Sequence, residues 1–591
     1  MIRSTPADPA PESSGPLGAA ALAALVAAAL GGLCWLAFFN GLGALGLMDK
    51  TEALFVEVSR QMLRSGDWVS PTWNGALFFD YPVWGYWMVA LSFRLFGVTA
   101  LAARLPVALA ASVVVIASFG LLWRLAPVEL PLHQRLGRGL LGAAVLATTP
   151  AWIGWARIST TDMFLASAIT LALYGFALVE LAPAAPRPRP WEGPLGRLAL
   201  ALFAGIAVLA KGPVGLLLPG LVIAVFLTLR GGWSRWLRPG PLLAMALLFL
   251  GVTAPWYVAA ARAHGMAFIG GFLGFSNLQR FTTVLYAHPG PPWFYLPWLL
   301  ILVLPWSLLL PLAVVRTRFW RRSCWRDLGT AEGLPGFLLL WLVLIVAFFS
   351  AAATKLPGYV LPAMPAAALL VAQLLGPGGP VRPGWGLRLS VAANALLLSL
   401  GALAAAVAPG WVATDPAYPA FAAALRRSGL PLSLSLVLAA AALLCWWLLI
   451  RGRGQLVWLP NLAGFVALLA FVVAPLAPLL DRERQLPLRQ LQVLAGSVLR
   501  TGEPLWVIGY RRYSTVFYAG RPAVFLDGAA EARQRLRSDP ALGGADAGGT
   551  VLLLGDREQL EAFGLPPAAV VNLGQRGEQR LWRVRLRELA G

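Results

Sequence analysis

Two groups of acidic residues could carry acid–base chemistry. Asp49, Lys50 and Glu52 follow the first apolar segment closely, and Asp162 lies in the sequence RISTTDMF, just ahead of another apolar segment. An acid near the start of a helix also stabilises its free amides and its dipole, which is the purely structural interpretation. Because two separate loops bring acids to one side of the membrane, a functional interpretation is favoured. A carboxylate there could act as a general base, or bind a divalent metal that neutralises a phosphate.

The three lysines indicate a second kind of chemistry, the binding of an anion. Lys50, Lys211 and Lys355 are the only lysines among 47 basic residues, and all three are predicted on one side of the membrane, together with Arg157 and Arg280. Snorkelling of a long side chain to the membrane interface explains any one of them. Ammonium and guanidinium groups that gather at one site could instead hold a phosphate. Both interpretations stay open at this point.

A second long loop, 262–291, adds further polar candidates. It contains Asn277, Arg280 and His288, and His288 is the one histidine of three that lies within such a polar group. The three cysteines are scattered along the chain, so neither a disulfide framework nor a zinc site is predicted. No cofactor is indicated with certainty, although a divalent metal at the carboxylates is an open alternative.

The elements that must position these residues are membrane helices. Of the 591 residues, 59% are hydrophobic and only 12% are charged, which excludes a soluble or disordered protein. The apolar run 83–97 is short and contains Arg94, so we predict an interfacial helix there. Thirteen longer apolar segments predict a multi-spanning α-helical membrane protein with about 13 transmembrane helices: 16–39, 101–123, 138–156, 162–181, 196–210, 213–229, 240–261, 292–315, 335–353, 357–375, 387–408, 431–450 and 456–479.

The placement of arginine predicts the orientation. The formal net charge of +21 need not mean nucleic-acid binding, because basic residues of membrane proteins collect in cytoplasmic loops. With a cytoplasmic N-terminus the basic excess falls mainly inside, and we predict no nucleic-acid partner. The external loops 40–100 and 262–291 are then long. In the first, Leu54, Val58 and Met62 recur at helical spacing, which predicts an amphipathic helix at the membrane surface.

The C-terminal part of the chain has a different character. Residues 481–591 contain short strand-like runs (PLWVIGY, PAVFLD, TVLLLG and LWRVRL) that alternate with helical segments, which predicts a small α/β domain. No nucleophile, metal or phosphate-binding motif is evident in it. We therefore predict a cytoplasmic tail at 1–15, a transmembrane domain at 16–480 and an extracytoplasmic domain at 481–591, with the chemistry in the transmembrane domain.

The polar segments together resemble a known family. They are similar, in order, to the motifs of the GT-C class of polyprenyl-phosphate-sugar-dependent glycosyltransferases, in its aminoarabinose-transferase-like and protein-mannosyltransferase-like group. The resemblance covers roughly residues 40–375. The matching segments are the acidic motif from Asp49 with TEALFVEVSRQMLRSGDW, then FFDYPVWGYW, RISTTDMF, AKGP, NLQRF with the later His288, and TKLPGYVLPAMPA.

The resemblance implies transfer of a sugar from a polyprenyl-phosphate carrier to a lipid, glycan or protein acceptor, at the outer face of the cell (inner) membrane and among its lipids. This is a cell-envelope reaction of the lipid A modification type, with inversion at the sugar. It also implies that Asp49 or Glu52, and Asp162, are catalytic carboxylates. The residues that it implies for substrate binding are Lys50, Asp80, Tyr81, Arg157, Lys211, Asn277, Arg280, His288, Lys355 and Tyr359.

The sequence departs from the family pattern at two points. Thr51 precedes Glu52 where the family has adjacent acids, so the choice of carboxylate stays open, with Asp49 favoured. The family's Asp-Lys-Pro element is Asp80-Tyr81-Pro82, and Lys50 could replace the missing lysine. A transporter or lipid flippase is the main alternative, and a non-catalytic membrane scaffold is a third. Transporters bind substrate near the midplane of the membrane, whereas the polar candidates here gather at one face.

Overall fold

The computed structural model describes residues 16–182, 192–272, 289–321, 325, 333–377, 379, 384–411, 419–538 and 549–590. Asn277, Arg280 and His288 therefore lie outside the described residues. The helices up to residue 272 are α1 Pro16–Cys34, α2 Thr51–Ser65, α3 Trp84–Phe96, α4 Ala100–Arg124, α5 Leu132–Ala147, α6 Pro150–Ala156, α7 Thr161–Glu180, α8 Glu192–Lys211, α9 Val214–Arg230, α10 Trp233–Trp236 and α11 Pro239–Phe268. A short hairpin of β1 Thr72–Trp73 and β2 Ala76–Leu77 lies between α2 and α3.

The second half of the helical part leads into a sheet domain. Its helices are α12 Tyr295–Leu302, α13 Leu310–Arg316, α14 Leu334–Ala351, α15 Met364–Leu375, α16 Trp385–Trp411, α17 Pro419–Arg427, α18 Leu430–Ile450, α19 Trp458–Leu468, α20 Ala474–Leu480 and α21 Leu486–Val498. The last part contains β3 Leu505–Ile508, α22 Ser514–Ala519, β4 Val524–Leu526, α23 Ala529–Ser538, β5 Thr550–Asp556, α24 Arg557–Glu561, β6 Val570–Arg576, β7 Gln579–Arg585 and α25 Leu586–Ala590.

The predicted fold class is confirmed, but the predicted number of spans is too high. Among the described residues, ten helices are long and apolar enough to cross a membrane, or eleven if the pair α5 and α6, bent by 65°, is one span. Segment 213–229 forms only the 17-residue helix α9. Segment 292–315 is divided between α12 and α13 by residues that include Pro305, because proline cannot supply the N–H that a continuous helix needs. The protein is a multi-pass membrane protein.

The most buried helices carry the site candidates. Over 18 consecutive residues of the apolar stretch Pro357–Leu375, 94% are buried inside the molecule, as are 78% over 18 residues of Thr161–Glu180, against 11% over 18 residues of Pro239–Phe272. The first two therefore form the centre of the bundle, whereas most of Pro239–Phe272 is available to lipid. Asp162 lies in the first turn of one central helix, and Tyr359 lies in the 3₁₀ turn that opens the other.

Two glycines let α7 and α8 approach closely. A Cβ atom on Gly175 would lie 2.6 Å from the carbonyl oxygen of Gly196, and one on Gly196 would lie 2.7 Å from the carbonyl oxygen of Gly175. Small residues at such crossings bring membrane helices into backbone contact. Asp162 precedes Gly175 by 13 residues and Lys211 follows Gly196 by 15, which are about 20 and 22 Å along a helix. The antiparallel pair thus brings Asp162 and Lys211 to the same end of the bundle.

A buried ion pair fixes the loop that follows α1. Glu52 and Arg104 are 1% and 2% exposed, and both carboxylate oxygens of Glu52 accept hydrogen bonds of 2.7 Å from the guanidinium group of Arg104. Glu52 also accepts the backbone N–H groups of Met48 at 2.8 Å and Ser159 at 2.9 Å. The other guanidinium hydrogen bonds go to the carbonyl oxygens of Leu42, Leu45 and Gly46. One pair therefore joins the loop before α2, the start of α4 and the loop before α7.

The C-terminal sheet has the strand order β4-β3-β5-β7-β6. Strands β4, β3 and β5 are parallel, whereas β7 runs antiparallel to both β5 and β6. The four strand-like runs read from the sequence are confirmed as β3, β4, β5 and β7. Strand β6 was not predicted, because VVNLGQR is a mostly exposed edge strand with polar residues. Helix α21 packs on the sheet through Leu488, Leu491 and Ala495.

The sheet domain rests on the polar face of α2. Helix α2 is confirmed, and two charged residues of its polar face are enclosed, since Glu57 is 0% and Arg60 is 5% exposed. Arg60 pairs with Glu57 at 2.6 Å and donates to the carbonyl oxygen of Phe517 at 2.7 Å. In the β1–β2 turn, the side chain of Asn74 exchanges two hydrogen bonds with the backbone of Ala523, of 2.8 and 2.9 Å. The first loop is therefore held between the bundle and the sheet domain.

We predict that Arg104→Met lowers the free energy of unfolding by about 3–5 kcal/mol, because it leaves the buried carboxylate of Glu52 without its partner. Arg94→Met is the matched control, since Arg94 is exposed on α3 and should cost less than about 0.5 kcal/mol. Unfolding by SDS in mixed micelles measures both variants. Equal stability of the two variants would contradict the structural role given to Arg104.

Candidate functional site

Asp49 lies where the first loop meets the sheet domain. It precedes α2, and its half-buried carboxylate accepts the backbone N–H of Ser514 at 2.8 Å. Burial raises the pKa of Asp49, while hydrogen bonds from the backbone and side chain of Ser514 and the charge of Arg512 act in the opposite direction. A carboxylate with a raised pKa is better suited to accept a proton than an ordinary surface aspartate.

Asp49 faces a polar pocket of about 650 Å³. The pocket lies between three parts of the chain, namely the first loop, the helical stretch from Leu480 to Gln492 and the sheet domain. Its volume is within the range of small-molecule sites. It is lined by Leu45, Leu47, Met48, Asp49, Leu480, Arg484, Gln485, Leu488, Arg489, Gln492, Tyr510, Arg512, Ser514 and Tyr518.

Asp162 and Lys211 form a second cluster at the same end of the bundle. The ammonium group of Lys211 donates to a carboxylate oxygen of Asp162. It also lies 5.7 Å from the ring centre of Tyr81 and 5.2 Å from that of Tyr359. The helix ends favour this pair, because Asp162 lies in the first turn of α7 and Lys211 in the last turn of α8. A cation between aromatic rings and a carboxylate is arranged to hold an anionic group.

Glu52 stands between these two clusters without opening into the pocket. It is three residues after Asp49, and its hydrogen bond to Ser159 N–H reaches the segment three residues before Asp162. Its carboxylate already accepts four hydrogen bonds from protein groups. The structure thus gives Glu52 the geometry of a positioning residue, and Asp49 that of the accessible carboxylate.

The other predicted basic residues have different surroundings. Arg157 donates to the carbonyl oxygens of Ala37 at 3.2 Å and Asn40 at 2.7 Å, at the end of α1. Lys355 is 6% exposed and donates to the carbonyl oxygen of Ala352. The exposed Lys50 lies 4.9 Å from the ring centre of Tyr510, at the pocket. Of these three, only Lys50 therefore lies beside the pocket.

Asp80 and Tyr81 lie close to a buried tyrosine. Burial raises the pKa of Tyr86, and the nearby charges of Tyr81 and Asp80 raise it further. Tyr86 packs against Phe55 of α2, with ring centres 4.5 Å apart. The segment FFDYP lies beside the Lys211 cluster, because the ring of Tyr81 is close to the ammonium group of Lys211.

Sequence reasoning missed the contribution of the sheet domain. It placed the chemistry in the transmembrane part, yet Tyr510, Arg512, Ser514 and Tyr518 line the pocket with Asp49. No local motif marks these residues, so no signal in the sequence alone could have located them. Arg104 carried a signal that was overlooked, because a charge inside an apolar segment is rare and usually functional or paired.

No metal site is defined by the described part of the chain. Over residues 16–590, with the gaps given above, no three His, Cys, Asp or Glu side chains gather in a group that could hold a metal ion. The groups present can accept a proton at Asp49 and balance negative charge at Lys211 and at the pocket arginines.

Comparison with known proteins gives two family matches. Residues 80–258 match the family of dolichyl-phosphate-mannose-protein mannosyltransferases. Residues 498–591 match the C-terminal domain of cyanobacterial RgtA-type glycosyltransferases. The first match contains the Asp162–Lys211 pair, and the second contains the pocket residues of the sheet domain.

Curated relatives and a solved structure agree with these matches. The undecaprenyl phosphate-alpha-4-amino-4-deoxy-L-arabinose arabinosyl transferase of Pseudomonas aeruginosa UCBPP-PA14 is 33% identical over 334 residues, 56% of this chain and 56% of the relative. Arabinosyl transferase 2 of Sodalis glossinidius is 30% identical over 63% of each chain. The chain thus spans little more than half the length of the first curated relatives it matches.

The fold similarity extends over nearly the whole chain. ArnT from Cupriavidus metallidurans, solved with bound undecaprenyl phosphate, superposes with a TM-score of 0.73 over 97% of this chain and 99% of that one, at 22% identity. At this identity the comparison establishes the fold. Together with the family matches it confirms the resemblance drawn from the motifs, and the chain has the fold of ArnT.

Proposed function

We propose that this chain is an integral membrane glycosyltransferase. It moves a sugar from a polyprenyl-phosphate carrier to a lipid, glycan or protein acceptor at the external face of the membrane. The observation that carries this proposal is the half-buried carboxylate of Asp49, which faces a polar pocket at the end of the bundle that also bears the Asp162–Lys211 pair. One group can accept a proton there while another balances a phosphate charge.

The names of the relatives support a narrower version of the proposal. Two of them are named as undecaprenyl phosphate-aminoarabinose arabinosyl transferases. We therefore propose undecaprenyl phosphate as the carrier and a pentosyl group of the aminoarabinose type, rather than a hexosyl group, as the sugar. A lipid A-like glycolipid is the corresponding acceptor.

The proposed reaction requires mainly that the enzyme positions the two substrates and stabilises the charge of the leaving phosphate. An acceptor oxygen attacks the anomeric carbon, its proton passes to Asp49, and the bond from that carbon to the carrier phosphate breaks. A single displacement inverts the anomeric centre. The departing phosphate gains negative charge, which Lys211 stabilises together with the hydroxyl groups of Tyr81 and Tyr359.

The other predicted substrate-binding residues keep their roles within this proposal, whereas the two further carboxylates, predicted as catalytic, are proposed as positioning residues. Asp162 orients Lys211 as the second carboxylate, and Glu52 positions the first loop. Substrate-contacting roles are proposed for Lys50, Asp80, Arg157, Asn277, Arg280, His288 and Lys355.

We also propose the orientation of the chain in the membrane and the limits of its domains. The arginine pattern supports a cytoplasmic segment 1–15, a transmembrane domain 16–480 and an extracytoplasmic domain 481–591 in the inner membrane. The limit at 480 falls inside a helical stretch that runs from Gly454 to Val498. A transporter is less well supported, because the pocket lies where the bundle meets the sheet domain, and none of the relatives reported above is a transporter.

We predict that Asp49→Asn lowers kcat by about 10² to 10⁴, the usual contribution of a general base, with little change in stability. Asp67→Asn is the control, since Asp67 lies in the same loop, outside the pocket, with exposed hydrogen bonds to Val69 and Ser70. Transfer of a labelled sugar from undecaprenyl phosphate in proteoliposomes is the measurement. Full activity of the folded Asp49→Asn protein would refute the proposed role of Asp49.

We predict that Lys211→Met reduces kcat/KM for the donor by about tenfold or more. The substitution removes a charge-assisted contact and leaves the phosphate charge of the donor uncompensated. Lys211→Arg should retain more activity. Arg262→Gln serves as the control, since Arg262 is exposed at the end of α11. If donor titrations with folded Lys211→Met give wild-type kcat/KM, the phosphate-binding role of Lys211 is wrong.

We predict that Ser514→Ala moves the acidic limb of the pH–rate profile to higher pH. Burial already raises the pKa of Asp49, and the hydrogen bonds from Ser514 lower it, so the loss of the hydroxyl group raises the pKa further. A general base works only when deprotonated, and activity then falls at a higher pH on acidification. Ser497→Ala, at an exposed serine of α21, should leave the profile in place. An unchanged acidic limb in Ser514→Ala would argue against Asp49 as the titrating base.

A further inference from the structure

We propose that a groove between the start of α16 and the end of α18 binds the head group of an anionic phospholipid. The groove has a volume of about 520 Å³ and is lined by Arg388, Leu389, Ala392, Leu449, Ile450 and Gly452. It shares no residue with the pocket at Asp49. The lipid site does not depend on the proposed function, and only the leaflet to which the lipid belongs follows from the proposed orientation of the chain.

The groove lies at the end of the bundle opposite to Lys211. Tyr359, near Lys211, is in the turn that begins the central stretch Pro357–Leu375, and these 19 residues extend for about 30 Å. Only five residues lead from Gly379 to Gly384, whose carbonyl oxygen accepts the first hydrogen bond of α16, and they reach at most about 18 Å. Helix α16 therefore begins near the far end of that stretch, which is the cytoplasmic end in the proposed orientation.

Positive charge surrounds this groove. Arg388 lines it, and Arg451 and Arg453 are the two neighbours of the lining residue Gly452. All three arginines are exposed. Within the part of the chain that the structure describes, none of their guanidinium groups makes a hydrogen bond or an ion pair. Three guanidinium groups are thus available to an anion from outside the protein.

The segments that form the groove carry no acid that could balance these arginines. Asp415 is the only acidic residue between Glu332 and Asp481, and it lies beyond the far end of α16 at Trp411. The accumulation of arginine at a cytoplasmic helix end explains orientation in a membrane by itself. A groove beside uncompensated arginines adds a place in which an anion can be held.

The helix dipoles make Arg388 the group that gains most from a bound anion. Arg388 lies in the first turn of α16, where the partial positive charge of the helix N-terminus adds to its own charge. Arg451 and Arg453 instead follow the C-terminus of α18, and the partial negative charge there offsets part of theirs. A phosphate group beside Arg388 would relieve this repulsion and accept charge-assisted hydrogen bonds.

The other lining side chains of the groove are apolar, and Leu389 and Ile450 among them are exposed. The exposed rings of Trp385 and Trp447 flank these residues along α16 and α18, and tryptophan concentrates where the hydrocarbon of a membrane meets its head groups. Arg451 lies 5.7 Å from the ring centre of Trp447, which places a cation at the same level. The groove is therefore at the depth of lipid phosphates.

A ligand with an anionic head and apolar chains matches both parts of the groove, whereas a free phosphate would contact only its basic part. Basic pockets between spans on the cytoplasmic side of membranes bind acidic lipid head groups in this way. The combination of charge, apolar lining and depth therefore favours an anionic phospholipid over a soluble anion.

The test is photo-crosslinking of a photoreactive phosphatidylglycerol to the full-length protein in phosphatidylcholine nanodiscs, with the modified peptides identified by mass spectrometry. We expect labelling of α16 near Leu389 and of α18 near Ile450, and much less labelling by a photoreactive phosphatidylcholine. Arg388→Gln combined with Arg453→Gln should lower the phosphatidylglycerol labelling by about tenfold or more, because each substitution removes charge-assisted hydrogen bonds to the phosphate.

Two further variants separate the site from general electrostatic and folding effects. Arg426→Gln combined with Arg427→Gln removes the same charge at exposed arginines of α17, just before the opposite end of α18, and should be labelled like the wild type. Ala392→Phe fills the groove without a change in charge and should also lower the labelling.

Each outcome decides for or against the site. Equal labelling by the two photoreactive lipids, or wild-type labelling of either groove variant, overturns it, as does an equal loss in the control pair. Inorganic phosphate is added in a competition arm. Weak competition supports recognition of a lipid, whereas complete displacement at low phosphate concentration shows a free-anion site and overturns the lipid assignment.

Discussion

The Glu52–Arg104 ion pair is the constraint on which the site depends. A charge in an apolar bundle is costly unless its partner and its remaining hydrogen bonds are supplied. Here the guanidinium group satisfies a carboxylate and three backbone carbonyl groups, and the carboxylate accepts two backbone amides as well. The loop after α1 cannot move away without exposing these groups to an apolar environment. Asp49, three residues earlier in the chain than Glu52, is fixed as a consequence.

The sheet domain also holds the first loop in place. Arg60 and Glu57 have lost nearly all contact with solvent, which is stable only because the backbone of α22 accepts the guanidinium hydrogen bonds. Another contact of α22 with the first loop is made by Tyr518, whose hydroxyl group accepts a hydrogen bond of 2.8 Å from the backbone N–H of Leu47. The same surface that anchors the domain also supplies Ser514 to Asp49. The contacts that anchor the domain and the hydrogen bond to Asp49 therefore belong to one interface.

The second cluster depends on helix packing. Lys211 reaches Asp162 because α7 and α8 are antiparallel and touch at two glycines, far along the helices from the charged ends. A side chain at either glycine would separate the backbones and displace both ends. The arrangement also uses the helix dipoles, with the acid at an N-terminus and the base at a C-terminus.

The sequence by itself determined the membrane class of the protein, most of its helices, four strands of the C-terminal sheet and the polar segments that carry the family resemblance. These features follow from local composition and periodicity, which can be read from the sequence without knowledge of tertiary contacts. Helix α9 and the region divided at Pro305 were counted as spans, because an apolar run does not show that α9 has only 17 residues or that the helix breaks at one of the prolines in the run. Only the tertiary structure decided that Glu52 is enclosed while Asp49 faces a pocket, and that arginines about 430–460 residues further along the chain line that pocket. Those distinctions depend on which distant groups supply hydrogen bonds and exclude water, and such partners have no signature in the local sequence.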